Sequence, residues 1–320
     1  MQKGKSAPSV PLKGPWLIRR LDYNVLVLDY CRFQIAGGNW SDEVPLFKVQ
    51  KAVSLTKEDF RIEFSFQVKA SPESLFQALP AGRQALPAGR QASRRDGEGE
   101  IFLVLETPQR FQITINDKPH IWQDAGYWLD TSFRRFPIGP YLKEGENKIG
   151  LTANWAQNLE LETTYIVGDF AVENKNYKEF AIIPEAQEVG GKNLVEEGYP
   201  FFAGSLELEK IVELKVAPER ALVSFQSLPA TATEVEINGK SAGAIIWEPY
   251  FLEVARFLKA AKNRVLVRLT NTLHNLLGPH HHTRGEILST SPRVFSDEAN
   301  WKDDYTLLPW GINGINLTCK

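Results

Sequence analysis

Short runs in which apolar side chains alternate with polar ones constrain this chain more than any other feature. Ile62, Phe64, Phe66 and Val68 form one run, and Phe111, Ile113 and Ile115 a second. Ile149 and Leu151, Val235 and Ile237, and Val265, Val267 and Leu269 continue the pattern. A period of two puts one set of side chains on a core and the other in water, which a helix cannot do. Turn signals separate the runs: Asn116-Asp117, Glu144-Gly145, Gly190-Gly191 and Asn238-Gly239. Asn-Gly between alternating runs marks a tight hairpin, because a type I′ turn needs positive φ at both central residues. Only Tyr250–Ala261 has spacing that suits about two helical turns. Many short strands with regular turns imply sandwiches or barrels. At 320 residues and 43% hydrophobic content, the chain has enough apolar material for two cores without a disulfide or metal staple.

The sequence also echoes itself. Residues 111–155 and 233–273 both run strand, Asn-Asp or Asn-Gly turn, aromatic loop, short Leu-Lys turn, and then an asparagine (Asn147, Asn263) that opens another alternating strand. The expected fold is therefore all-β: two tandem jelly-roll β-sandwiches, over 15–175 and 176–320. The division is expected between Val172 and Glu196, where the chain is polar and turn-rich. A perfect tandem heptad, QALPAGR twice over 77–90, interrupts the first sandwich. Two heptads cannot build a solenoid. The segment from about 75 to 99 reads as a disordered insertion, which loop-closure entropy tolerates. A basic recognition arm built on Arg83, Arg90, Arg94 and Arg95 is the functional alternative.

Charge excludes some partners. The 37 basic and 39 acidic residues leave a net charge of −2, without the basic excess that nucleic-acid binding demands. No apolar run approaches the roughly 18 residues of a membrane helix, so no membrane partner is expected. The opening MQKGKSAPSVPLKGPW has no apolar signal-peptide core, which leaves the cytoplasm as the default location. Cys31 and Cys319 are too few for a disulfide framework and lack metal spacing. No phosphate-cradling or nucleophile-elbow motif occurs, and no cofactor is expected.

Tyr199-Pro200-Phe201-Phe202-Ala203-Gly204-Ser205, Asn238-Gly239, Gly243, Pro249-Tyr250, Leu258, Asn263 and Asn271 carry a resemblance. In this order they resemble the galactose-binding-like jelly rolls of glycoside hydrolases, notably family 2 sugar-binding domains and rhamnosidase-like proteins. Glu253-Val254 stands where that family usually has an Asp pair, and Ala261 replaces the glycine before Asn263. The first copy is similar through LVLETPQRFQITIND, GYWLD and LKEGENKIGL, so the resemblance covers most of residues 100–320. It implies an accessory portion of a glycosidase, with a carbohydrate ligand and a catalytic barrel as possible partners. A barrel needs about 250 residues of alternating strands and helices, which this chain does not supply. An interdomain structural module, or a fragment that completes a glycosidase active site, is the alternative.

Sugar recognition needs flat apolar faces with polar groups around the rim. Trp122, Tyr127, Trp128 and Asp130, in and before the GYWLD loop, meet that need in the first copy. Trp247 and Tyr250, in WEPYFLE, meet it in the second. The competing reading is that Trp128, Phe133 and Phe251 plug the ends of the sandwiches. Asp130, Glu160, Glu162, Asp169, Asp297, Asp303 and Asp304 are candidate catalytic acids, but no spacing pairs any two, so no catalytic residue is assigned. In the tract His280-His281-His282, the alternate residues His280 and His282 can share one face of an extended segment. With no metal motif nearby, the tract reads as an ordered loop and no metal is assigned. Asp297, Asp303 and Asp304 are the residues to which a structural calcium would turn.

Overall fold

The computed structural model describes residues 9–77, 100–287 and 289–319. The heptad repeat and most of the expected insertion lie outside the described residues. Leu75, at the insertion's expected edge, is buried in the short helix Pro72–Gln77. The chain is all-β, and among the described residues its sheets are antiparallel apart from one two-residue parallel contact, Ala181 and Ile182 against Gln67 and Val68. It divides into two compact units that are not sequential halves: a larger one of residues 23–185 and 276–306, and a smaller one of 1–22, 186–275 and 307–320.

The larger unit is a sandwich of two sheets. One runs in the order Tyr127–Trp128, Asp130–Pro137, Ile101–Glu106, Thr164–Gly168, Asn24–Leu28. The other runs Ala171–Lys175, Glu179–Ile183, Phe60–Val68, Gly145–Ala153, Gln112–Ile115, Lys118–His120, with Tyr30–Ile35 also paired to Phe60–Val68. Alternation behaves as expected: Ile62, Phe64, Phe66 and Val68 are all buried. Glu63, between them, is also buried, and its carboxylate is held by Arg32 and Lys148. Asn24–Leu28 and Thr164–Gly168 are buried at every position, as strands covered on both faces are.

The smaller unit is likewise a two-sheet sandwich. Ser9–Pro11, Asn316–Cys319, Ala221–Ser224 and Phe251–Glu253 form one sheet. Glu188–Val189, Trp16–Arg20, Ser205–Glu213, Lys262–Thr270, Ala232–Ile237 and Lys240–Ile245 form the other. Trp16, Tyr199, Phe201, Phe202 and Trp310 are the large rings fully buried in its core. The helical spacing of Tyr250–Ala261 is overturned: the segment holds the strand Phe251–Glu253 and a single 3-10 turn, Ala255–Phe257. Pairing of Phe251–Glu253 with Ala221–Ser224 satisfies its backbone across the sheet, so the local spacing does not decide the conformation.

The sequence echo is a shared hydrogen-bond knot. Asn116 (φ 51°) and Asp117 (φ 63°) turn one hairpin, and Asn238 (φ 52°) and Gly239 (φ 80°) turn the other, as the type I′ reading requires. Asn147 and Asn263 are wholly buried in their respective units. Asn147 Oδ1 accepts from Asn116 Nδ2 and the Lys143 N–H, and its Nδ2 donates to the Lys143 and Gly145 carbonyls. Asn263 makes the same four bonds, to Asn238, to Lys259 twice and to Ala261. Asn116 and Asn238 complete the match: each also donates to the carbonyl of a 3-10 turn residue (Tyr141, Phe257) and accepts the N–H after the buried asparagine. Each asparagine thus ties the backbone of the incoming loop to the strand it opens and to the neighbouring hairpin turn.

A ladder of opposite charges crosses the larger sheet of the smaller unit. Register places Glu207 opposite Arg19 on one side and Arg268 on the other, with Glu234 beyond Arg268. Arg268 meets Glu207 at 2.7 Å and Glu234 at 3.0 Å, and Arg19 Nε donates to Glu207 at 2.8 Å. Burial alone would raise the Glu207 carboxyl, but hydrogen bonds and charge from Arg268 and Arg19 outweigh it and hold the group below its usual range. A depressed folded-state pKa adds stability that is complete above the unfolded value and is lost as pH falls through the folded one. Glu207→Gln is therefore expected to lower stability near pH 7, by about 1–2 kcal/mol given the partly exposed arginines. Denaturation curves of variant and parent should converge as pH drops below about 4. A constant gap from pH 7 to pH 3 would show that the carboxylate charge is not what the ladder uses.

Candidate functional site

The site that stands out lies in the larger unit and begins at Asp29, the residue where the chain leaves Asn24–Leu28 in one sheet for Tyr30–Ile35 in the other. The histidine tract lies against residues 301–306. Lys302 N–H donates to the His281 carbonyl (2.8 Å), Thr306 N–H to the His280 carbonyl (2.7 Å), and His282 bridges Trp301. This pairing brings the His281 ring to Asp29, with Nε2 3.1 Å from Oδ2, while Nδ1 lies 3.0 Å from the Lys302 carbonyl. The Tyr305 hydroxyl donates to the other Asp29 oxygen, Oδ1. Burial alone would raise the Asp29 carboxyl. The hydrogen bond and charge of His281, the charge of His280 and the Tyr305 hydroxyl outweigh it and hold the group below its usual range. Burial and the neighbouring Asp29 push the Tyr305 hydroxyl well up, so it remains a donor.

Around this polar group are rings. Trp301 stacks on His281 at 4.6 Å between centroids and leans on Phe47 at 4.8 Å. Its Nε1 donates to the Tyr30 hydroxyl, which donates in turn to Asp303. Phe47, carried by the helix Leu46–Thr56, lines a cleft with Trp301, the exposed Phe295, Asp29, His280 and Glu162. The cleft is open to solvent and encloses about 170 Å³, less than the roughly 300–1,000 Å³ of a drug-sized pocket and enough for part of a small ligand. Burial, then the neighbouring Glu106 and Glu160, push the Glu162 carboxyl up.

The residues predicted for sugar contact fall in both units. In the larger, Tyr127 is exposed, while Trp122 and Trp128 are half-buried. Trp128 stacks on Phe133 and leans on Tyr165, and Trp122 leans on Phe136. Asp130 is exposed and accepts from the Ser132 N–H and hydroxyl, closing a local turn. In the smaller, Trp247 is 74% exposed, and Tyr250 is half-buried with its carbonyl accepting from the Phe225 N–H. Of the rings expected as plugs, Trp128 and Phe133 pack together, but Phe251 is exposed.

Asp29, Phe47 and Trp301 escaped the sequence reading as site residues. The alternation expected for the histidines does not describe their rings, because His280 and His281, not His282, gather at Asp29. His282 Nδ1 instead accepts the Arg284 N–H. Among the described residues, Asp29, His280 and His281 are the one group of three that can hold a metal ion. Asp297, Asp303 and Asp304 are not gathered into such a group. Asp297 is bonded to Asn300 and Asp303 to Tyr30.

No protein-family model matches the chain. No curated protein matches it either. Among solved structures it is similar to a rhamnosidase from Novosphingobium sp. PP1Y, at 18% identity and a TM-score of 0.30, covering 70% of this chain and 23% of that one. It is similar to a beta-D-mannosidase from Dictyoglomus thermophilum, at 13% identity and a TM-score of 0.26, covering 83% and 31%. A glycosyl hydrolase family 2 member from Bacteroides cellulosilyticus DSM 14838 aligns at 12% identity and a TM-score of 0.26, covering 98% and 38%. The chain thus spans well under half the length of each.

Proposed function

We propose that this protein is a non-catalytic carbohydrate-recognition portion of a glycoside hydrolase-like protein, and that its sugar site is the cleft of the larger unit. The observation that carries the reading is the make-up of that cleft: aromatic rings from Phe47, Phe295 and Trp301 on the wall, with Asp29, Glu162 and His280 among them. A pyranose offers C–H groups on its face and hydroxyls on its rim, so it needs both kinds of surface together. The sequence resemblance to galactose-binding-like jelly rolls supports the same reading. Tyr127 in the larger unit and Trp247 in the smaller, each an exposed ring on an aromatic loop, are the alternative sugar contacts.

Isothermal titration of the intact chain with a broad panel of mono- and oligosaccharides tests this. A saturable heat is expected with at least one sugar, weakened about tenfold by Phe295→Ala, which removes an exposed ring without touching the core. No heat from any sugar at millimolar concentration would sink the reading.

A second reading is favoured by one observation. Ile246, Trp247 and Phe251 are exposed within six residues on the smaller unit, as a face docked on a catalytic domain would be. Under that reading Trp247→Ala weakens association with a glycosidase barrel and leaves sugar heats unchanged.

A further inference from the structure

We propose that Asp29, His280 and His281 form a binding site for a zinc-class divalent metal ion. The three offer one carboxylate oxygen and two imidazole nitrogens, no two more than 4.8 Å apart. His280 and His281 are buried, and the Asp29 side chain is 15% exposed.

Hydrogen-bond logic fixes the His281 ring. The Lys302 carbonyl can only accept, so the Nδ1 that faces it at 3.0 Å carries the hydrogen. Its Nε2 then faces Asp29 Oδ2 at 3.1 Å. The His280 ring brings a second imidazole to the same carboxylate.

A metal ion accounts for all three. Zinc–nitrogen and zinc–oxygen bonds of about 2.0–2.1 Å set ligand atoms roughly 3.3 Å apart in a tetrahedron. The His281–Asp29 edge is close to that length, and His280 offers a third ligand atom within 4.8 Å of both. The surrounding contacts are those that orient metal ligands: a ligating histidine donating its other N–H to a backbone carbonyl, and a carboxylate held by a hydroxyl, here that of Tyr305. Two imidazoles and one carboxylate suit zinc and its neighbours better than calcium or magnesium, which take oxygen ligands. Three protein ligands leave a fourth position for water or a ligand oxygen, and all three line the cleft. The inference stands whether or not the cleft takes a sugar.

The test uses the full chain, without an affinity tag and stripped with a chelator, titrated with zinc chloride in the absence of sugar. One zinc ion per chain is expected to bind. Asp29→Asn and His280→Ala should each weaken binding at least tenfold, and Tyr305→Phe about tenfold through the carboxylate it holds. His282→Ala, outside the cluster, should leave affinity unchanged. Circular dichroism identifies any variant that fails to fold, and the remaining variants then decide. No stoichiometric zinc would overturn the proposal. So would binding that survives Asp29→Asn but is lost in His282→Ala, the mark of loose chelation by the histidine tract.

Discussion

Replacing Asn263 with alanine is expected to cost the smaller sandwich about 4 kcal/mol. Four hydrogen bonds converge on that side chain at a position with no solvent access. Each is worth roughly 1 kcal/mol net. The Lys259 N–H loses its acceptor, while the Lys259 and Ala261 carbonyls each lose one of two donors and keep the Ala261 and Leu214 N–H groups. Asn147→Ala removes the same four bonds from the larger sandwich, so the two substitutions should cost the same within about 1 kcal/mol. Native-state hydrogen exchange reads each unit by its own amides. Protection should fall in Lys262–Thr270 and Ala232–Ile237 for the first variant, and in Gly145–Ala153 and Gln112–Ile115 for the second. A loss below 1 kcal/mol in either would mean that water already serves these groups.

Trp310→Ala should be as damaging by a different route. The ring is 1% exposed and lies nearly parallel to Phe202, with centroids 5.5 Å apart and planes 8° from parallel. Its Nε1 donates to the Tyr199 carbonyl at 3.1 Å. Truncation removes the packed ring, opens a cavity and deletes its bond to that carbonyl, for a loss of about 3–5 kcal/mol. Against a total stability of about 5–15 kcal/mol, that is enough to leave the smaller sandwich partly unfolded at 37 °C. Near-ultraviolet circular dichroism and thermal melts should show loss of fixed aromatic packing. Trp310→Phe, which keeps a ring but not the donor, should lie between the parent and alanine. An unchanged melting curve for the alanine variant would show that the core collapses around the missing ring at no cost.

What was legible in the sequence follows from how local each signal is. Phe60–Val68 showed itself by alternation, and the hairpins at Asn116 and Asn238 by turn chemistry, because both depend on neighbours along the chain. The recurrence of Asn147 and Asn263 before alternating strands pointed to a repeated device, and the structure supplies its bonds. The helix Leu46–Thr56 was missed: its start has Pro45 with no side-chain cap and no acid in the first turn, so the usual signals are absent. Its buried residues, Leu46, Val49 and Val53, do carry helical spacing, which was readable but short. Asn24–Leu28 gave no alternation because all of it is buried. The cleft was beyond reach for another reason. Asp29 and His281 are 252 residues apart, and Trp301 meets Phe47 across a similar gap. Only the fold brings them together, whereas the aromatic loops drew attention because their rings are adjacent in sequence.

The central claim is that the cleft between Phe47, Phe295 and Trp301 receives a sugar. A crystal structure of the chain grown with the oligosaccharide that gives the largest heat of binding tests it most directly. The account predicts density for a pyranose ring against Phe295 or Trp301, with hydroxyls within hydrogen-bonding distance of Asp29, Glu162 or His280. A sugar seated on Tyr127 or Trp247 while that cleft holds only water would contradict it.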